Sequence, residues 1–325
     1  MVEPCPLIEV SGPPRERGVQ HGRAAASRIH KGVAHYGAQL DRLGLDASGV
    51  AGLVQRYLPV IERFDPAYVE EMRGIADGAD LAFESVVLLN ARTEILKLAE
   101  QGQAEAPDGC TGLVVLPEAS ADGALIHAQN WDWKAECAET AIVLHIRRKD
   151  GPDILTFTEA GGLARSGLNA AGIALTANYL ESDRDYRQLG VPLALIRRRV
   201  LEQEHLALAM RAVHATAKSA ANNMIVSHAG GVAIDFECAP DESFQVYPER
   251  GLLVHANHFQ SPVALAKLRD TGLANTPCSI YRDLRVRGLL TPEIGRITIN
   301  SVKQALFDDF EQPWSVCRPP RESLS

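Results

Sequence analysis

One cysteine in this 325-residue chain sits where its own backbone could enter its chemistry. In Asp108-Gly109-Cys110-Thr111 a glycine precedes Cys110, and the apolar run Leu113-Val114-Val115-Leu116 follows shortly after. Glycine leaves its carbonyl unshielded and tolerates backbone conformations that other residues resist. A Cys110 thiolate attacking the Gly109 carbonyl would form a thioester, and hydrolysis of that thioester would separate Gly109 from Cys110. The new chain would begin with a cysteine carrying both a thiol and a free α-amine. An α-amino group titrates near ~7.7–8.0 and a free thiol near ~8.5, so the amine is a suitable base near neutral pH, fixed beside its own nucleophile. On Gly-Cys alone the plainer reading is a buried structural cysteine at a strand start, since free cysteine is among the most buried residues.

The neighbouring sequence adds a carboxylate. Small and polar residues at 100–107 lead into the motif, and a second strand-like run, Ala124 to Gln129, follows the Asp122-Gly123 turn signal. That run ends in Asn130-Trp131-Asp132-Trp133, so a hairpin would bring Asp132 to the same end as Cys110. An aspartate at a strand end also serves simply to cap a turn.

Asp108-Gly109-Cys110-Thr111 together with Gln129-Asn130-Trp131-Asp132 resembles the self-processing acyltransferases and hydrolases related to fungal acyl-CoA:6-aminopenicillanic acid acyltransferase, which are N-terminal-nucleophile hydrolases. Upstream, Gly18-Val19-Gln20-His21-Gly22, Met72-Arg73-Gly74-Ile75-Ala76 and Leu88-Leu89-Asn90-Ala91-Arg92-Thr93-Glu94 resemble the family's pro-segment. Downstream, Thr158-Glu159-Ala160-Gly161, Asn169-Ala170-Ala171-Gly172, His255-Ala256-Asn257-His258 and Ser315-Val316-Cys317-Arg318 follow its pattern in order, so the resemblance runs from about residue 8 to 318. It implies an α+β fold, a four-layer αββα sandwich of two mainly antiparallel sheets. It also implies cleavage between Gly109 and Cys110. Residues 1–109 would then be a mostly helical α chain and 110–325 a β chain, the two fragments forming a heterodimer within one folded domain.

Thioester chemistry needs oxyanion donors, a charge that tunes the nucleophile, and a shaped acyl pocket. Asp132 is the candidate for the tuning charge. Trp131 and Trp133 flank it, and either could line an acyl pocket or pack the core. Amide side chains donate N–H groups without net charge. Asn178 and Asn257 match asparagines in the family pattern and are the candidate oxyanion donors, with Asn223 a third, substrate-side candidate; a turn asparagine is the alternative for each. Arg282, in Ser279-Ile280-Tyr281-Arg282-Asp283-Leu284-Arg285, resembles the family's Ser-x-x-Arg-x-x-Arg helix and could pair with Asp132 or bind a carboxylated substrate. An exposed helix arginine is the alternative for Arg282, and Arg318, in Ser315-Val316-Cys317-Arg318, has the same two readings, site residue or exposed arginine. The scheme needs no cofactor. His255 and His258 suggest zinc, but no further ligands have suitable spacing, and His21 and His35 would lie roughly 21 Å apart along one helix. No metal site is expected.

Elements that would position these residues follow from periodicity. A short strand at 7–10 precedes helices at about 15–43, 47–64, from Asp65-Pro66 onward, and 83–98. After Cys110 the pattern changes to short strands: Ala141–Arg147, Ile154–Thr158 and Ile173–Ala177, with Asn178 directly following the last. A helix is expected over Pro192–Met210 with Arg197, Arg198 and Arg199 on a solvated face. Further strands are expected at Met224–Ser227, Val232–Glu237 and Leu252–Ala256, then helices at Ser279–Leu290 and Ser301–Phe310.

Composition bounds the rest. Hydrophobic residues make up 46% and charged residues 23%, as in an ordinary globular protein, and the net charge of −8 argues against a general nucleic-acid surface. Six scattered cysteines, no CxxC spacing, no basic and apolar leader, and no membrane-length apolar run point to a reducing, cytoplasmic setting. No GxSxG, Walker A, HExxH or GxGxxG motif competes. The expected partner is a small acyl amide or acyl-CoA-type substrate, with hydrolysis the default over transfer. The rivals are an unprocessed, inactive homologue serving as a binding protein, and a single-chain cysteine enzyme of unrelated mechanism. Members of the family this chain resembles usually continue past the Ser-x-Cys-Arg motif into another strand pair, whereas here seven residues with a Pro-Pro run follow Arg318. The resemblance therefore implies a sheet lacking its last pair and a form that is less stable and slower to process than an extended one.

Overall fold

The computed structural model describes residues 4–100 and 109–319. The lead-in before Gly109 and residues 320–325, on which the chain-end expectation partly falls, lie outside the described residues. The elements run β1 (Leu7–Ser11), α1 (Pro14–Arg42), α2 (Ala47–Phe64), α3 (Pro66–Ala79) and α4 (Phe83–Glu100), then β2 (Gly109–Val115), β3 (Ile126–Asp132), β4 (Ala141–Arg147), β5 (Ile154–Glu159), β6 (Ser166–Asn169) and β7 (Ile173–Tyr179). There follow α5 (Leu193–Leu201), α6 (Leu206–His214), β8 (Asn222–His228), β9 (Val232–Cys238), β10 (Ser243–Val246), β11 (Leu252–His255), α7 (Pro262–Lys267), α8 (Cys278–Leu290) and α9 (Ile299–Leu306). The chain folds as two compact units.

The first unit comprises Met1–Gln103, Glu136–Ala171 and Tyr186–Ser219. Its strands lie in the order β1-β4-β5-β6, with β1 parallel to β4 and the others antiparallel. Asp65 caps α3 by accepting from Ala67 N at 2.8 Å, with Pro66 at the first turn, as the sequence suggests. Helices α1 and α3 cross at paired glycines: a Cβ on Gly18 would stand 2.1 Å from the Glu71 carbonyl oxygen, and one on Gly22 would stand 2.3 Å from that of Ile75. Two expectations fail here. The helix expected over Pro192–Met210 is two helices, because Asn169 Nδ2 donates to the carbonyls of Leu201 and Gln203, at 2.9 and 2.7 Å, and draws the chain away after α5. Nor do the three arginines form a solvated face. Arg198 is fully buried and ion-paired with Glu71 at 3.1 Å and Glu202 at 2.9 Å, while Arg199 pairs with Asp65.

The second unit comprises Ala104–Ala135, Gly172–Asp185 and Ala220–Ser325. It holds two sheets: antiparallel strands β7-β8-β9-β10, and a three-stranded antiparallel sheet in the order β11-β2-β3. Alternation along β2 explains why all of it is buried. Val114 faces Ile225, Ala233 and Leu253 between the sheets, whereas Leu113 and Val115 face α8 and α9 through Val286, Leu290 and Val302. The unit is therefore sheet on sheet on helix, with β2 in the middle layer. The molecule is α+β with mainly antiparallel sheets, as the resemblance implies.

The hairpin is looser than its Asp-Gly signal suggested. Its ladder ends at Val115↔Ile126, and a 3-10 turn at Pro117–Ala119 occupies the connection. Strand β7 runs through Asn178 instead of stopping before it. The short β6, β10 and α7 escaped the sequence reading because four to six residues carry too little periodicity.

Candidate active site

Every candidate residue lies in the second unit. The β2–β3 ladder pairs Gly109 with Asp132 and Cys110 with Trp131, so the cysteine and the carboxylate do share one end of the hairpin. Cys110 is buried at the start of β2.

Asn257 follows β11 and reaches Cys110 directly. Its Oδ1 accepts from the Cys110 backbone N at 2.8 Å and from Arg282 Nη2 at 2.7 Å, and its Nδ2 donates to Tyr179 O at 2.9 Å. Two obligate donors and one obligate acceptor leave no doubt about which way this amide points. The second Nδ2 hydrogen remains for another acceptor. Arg282 projects from α8 into the same place, fully buried. Its Nη1 donates to Cys110 O at 2.6 Å and to Thr111 Oγ1 at 2.8 Å. Burial and the neighbouring Arg318 lower its pKa from the ordinary arginine value.

Arg318 closes the other side. Its Nε lies 3.6 Å from Asp132 Oδ2, its Nη2 lies 3.1 Å from Cys278 Sγ, and its Cζ lies 5.7 Å from the centre of the Trp314 ring. A Cβ built on Gly109 would stand 2.6 Å from the Arg318 Cζ, so only glycine fits that position with Arg318 in place. Asn130 fixes the segment carrying Arg318, donating from Nδ2 to the carbonyls of Leu306 at 2.6 Å and Val316 at 3.0 Å. Two guanidinium groups and one carboxylate thus flank the Gly109–Cys110 bond.

The remaining candidates stand further back. Asn178 directs Nδ2 to the carbonyls of His255 and Ala256, both at 2.9 Å, so both its N–H groups are in use; its Oδ1 accepts from Gln129 at 2.7 Å. Asn223 is fully buried, accepting from Asn178 N at 2.6 Å and donating to both oxygens of Asp235 at 3.0 Å. Trp133 stacks on Trp131 with ring centres 6.0 Å apart.

Sequence reasoning missed the acids behind this network. Asp235 and Glu237 are both fully buried and face His255, whose Nε2 lies 2.8 Å from Glu237 and 3.6 Å from Asp235. Burial alone would lower the His255 pKa, but Asp235 and Glu237 raise it to about 9. Burial pushes Asp235 up to about 6. The available signal was two carboxylates two residues apart on one face of the otherwise apolar strand Val-Ala-Ile-Asp-Phe-Glu-Cys.

Comparison with known proteins places the chain. The family model for acyl-coenzyme A:6-aminopenicillanic acid acyl-transferase matches residues 119–323. A protein from Emericella nidulans, the acyl-coenzyme A:6-aminopenicillanic-acid-acyltransferase 40 kDa form, is 31% identical over 340 residues, covering 98% of this chain and 86% of that protein. The chain belongs to the acyl-CoA:6-aminopenicillanic acid acyltransferase family. The matched stretch contains Asp132, Asn178, Asn223, Asn257, Arg282 and Arg318; Gly109 and Cys110 precede it. Among solved structures, a Caenorhabditis elegans N-acylethanolamine-hydrolyzing acid amidase orthologue is 17% identical, with a TM-score of 0.46 over 62% of this chain and 88% of that one. A mutant conjugated bile acid hydrolase from Clostridium perfringens is 14% identical, with a TM-score of 0.42 over 61% and 78%.

Proposed function

We propose that this acyltransferase-family member is a cysteine N-terminal-nucleophile enzyme that cuts its own Gly109–Cys110 bond and then acts on an N-acyl amide or acyl thioester through Cys110. The observation that carries the reading is the Asn257 Oδ1, 2.8 Å from the Cys110 nitrogen and shared with the Arg282 guanidinium. A purely structural cysteine has no use for a buried amide oxygen on its backbone nitrogen and a buried cation bonded to its carbonyl and to that same amide. A future N-terminal base needs both.

In maturation, the Cys110 sulfur adds to the Gly109 carbonyl carbon. The C–N bond breaks and the departing Cys110 nitrogen takes a proton. Water then hydrolyses the thioester, leaving a Gly109 carboxylate and a Cys110 with free thiol and amine. In turnover the α-amine takes the thiol proton, and the thiolate attacks the substrate carbonyl. The leaving amine or thiol receives that proton as its bond to the acyl carbon breaks. Water, or an amine acceptor, then takes the acyl group and restores the thiol.

Each neighbour has a part. Asn257 Oδ1 accepts a hydrogen from the amine, and its second Nδ2 hydrogen would donate to the developing oxyanion. The Arg282 charge favours the neutral, basic form of the amine. Asp132 offsets the two guanidinium charges, and Arg318, packed against Gly109, offers positive charge to the reacting carbonyl. With both N–H groups engaged, Asn178 acts by holding the backbone that leads to Asn257, and Asn223 holds Asn178. Trp133, stacked on Trp131 beside Asp132, would border the acyl chain.

The two fragments would remain one heterodimer, because the first unit is built from both. In it β1, before the cut, pairs along its whole length with β4, after it, and Tyr36 on α1 donates to Glu159 on β5 at 2.8 Å. No described helix is long and apolar enough to cross a membrane.

Intact-mass analysis after incubation with a panel of N-acyl amides and acyl-CoA thioesters tests the reading. An acyl adduct on the fragment beginning at Cys110, absent from Cys110→Ala, is expected. Folded protein that acquires no adduct from any member and releases no product would contradict it.

A further inference from the structure

The segment from His255 to Ser261 carries Asn257, and one buried carboxylate ties it down at both ends. Glu237 Oε1 accepts from His255 Nε2 at 2.8 Å and from the Gln260 backbone N at 2.5 Å; Oε2 accepts from the Ser261 N at 3.0 Å. His255 faces acceptors with both ring nitrogens, Nδ1 lying 3.0 Å from Ala256 O, so it sits there as an imidazolium. Between these ends the other described backbone bonds also go to side chains: Asn257 N donates to Ser279 Oγ at 2.6 Å, and Phe259 N donates to Asp270 Oδ2 at 2.9 Å. Glu237 is fully buried and touches neither Cys110 nor its strand in any bond described.

Burying an ionised carboxylate beside a charged histidine is costly unless every bond is made, and an apolar pair would fill the space more cheaply. Here three of those bonds end on the segment bearing Asn257. We infer that Glu237, working through His255 and the amides of Gln260 and Ser261, is a positioning residue that sets Asn257 Oδ1 against the Cys110 nitrogen. The inference rests on the proposed role of Cys110 as an N-terminal nucleophile. A carboxamide at position 237 keeps the volume but loses the ion pair and one of the two accepting oxygens. Asn257 would shift, and misplacement of about 1 Å at such a site costs on the order of a hundredfold in rate.

The test is a double-mutant cycle of Glu237→Gln with Asn257→Ala. It reads the self-cleavage rate in a pulse-chase after cell-free translation, and kcat and KM on the best amide of the panel. Glu237→Gln alone is expected to slow cleavage and lower kcat by about ten- to a hundredfold with KM changed less than about threefold. In the Asn257→Ala background the same change is expected to have less than about a threefold effect, because the two act through one group. Additive effects in the cycle, or wild-type rates in Glu237→Gln, would overturn the positioning role while leaving the nucleophile in place. A wild-type chain that neither cleaves nor turns over would overturn both. If Glu237→Gln fails to fold, His255→Gln, which keeps a donor to Glu237 without the charge, takes its place in the cycle with the same expectations.

Discussion

Two buried glutamates, one in each unit, are neutralised in different ways. Glu71 on α3 meets two guanidinium groups: Arg17 Nε at 2.6 Å, and Arg198 Nη1 and Nη2 at 3.1 and 3.2 Å. Burial alone would raise its pKa, but Arg198 and Arg17 hold it below the usual carboxylate value. Its bonds run between α1, α3 and α5, and these bonds lock helices together. Glu237 on β9 has one histidine and two backbone amides, and all three belong to the segment that presents Asn257 to Cys110. Equal burial therefore serves different ends. The first cluster holds the fold, and the second holds a loop that the reaction would need.

That contrast breaks most easily at Glu71. Glu71→Ala removes the carboxylate shared by two buried arginines: Arg17 loses this partner, and Arg198, which is 0% exposed, is left with Glu202. The expected loss is about 3–5 kcal/mol of unfolding free energy, read by denaturant titration. The fraction that folds should still cleave at the wild-type rate. A stable variant, or a folded variant with altered cleavage, would erase the distinction between the two clusters.

At the site the expected losses are in rate, with stability little changed. Asp132→Asn removes the charge beside Arg318 and should slow cleavage and turnover by about a hundredfold, within the range seen for lost electrostatic groups, with a melting shift of only a few degrees. Wild-type turnover would remove Asp132 from the account. Gly109→Ala places a Cβ where the Arg318 guanidinium lies, 2.6 Å from its Cζ, and should slow cleavage about tenfold while leaving turnover by any mature enzyme unchanged, since Gly109 is then the end of the other fragment. Unchanged cleavage would show that Arg318 moves freely.

Stability should also depend on pH. His255 is faced by Asp235 and Glu237 on β9 and by the His258 ring, centres 6.2 Å apart. Asp283 and Arg287, bonded to each other on α8, hold the neighbouring Gln260. With a folded pKa of about 9 against ~6.5 unfolded, His255 contributes stability that is complete below about pH 6.5 and lost as pH rises through 9. Asp235, raised to about 6, acts in the same sense over a lower window, its contribution falling as pH rises from about 4 to 6. Melting temperatures measured from pH 6 to 10 should decline through that range in the wild type, and the part of the slope between about 6.5 and 9 should vanish in His255→Gln. An identical slope in both would place the titrating group elsewhere.

Much of this architecture was legible because long periodic segments and turn chemistry are local. Asp65-Pro66 announces α3, and the apolar run Leu113-Val114-Val115-Leu116 announces β2. The candidate site was legible through the family resemblance, which singled out Gly109-Cys110, Asp132 and Asn257; residue type alone gave each of them a plain structural reading. What stayed hidden depends on tertiary pairing. Arg198 reads as a solvated helix residue until Glu71 arrives from 127 positions away. Nothing local to Asn178 reveals that both of its N–H groups are taken by the end of β11. Glu237 and His255, eighteen residues apart, become an ion pair only when β9 and β11 are folded.

The central claim is that Cys110 becomes an N-terminus, and intact-mass analysis of purified, folded wild-type protein beside Cys110→Ala addresses it most directly. The account predicts two wild-type fragments that copurify, one beginning at Cys110, and a single uncut 325-residue chain for Cys110→Ala. A folded wild-type chain that stays whole, or a cut at another bond, would contradict it.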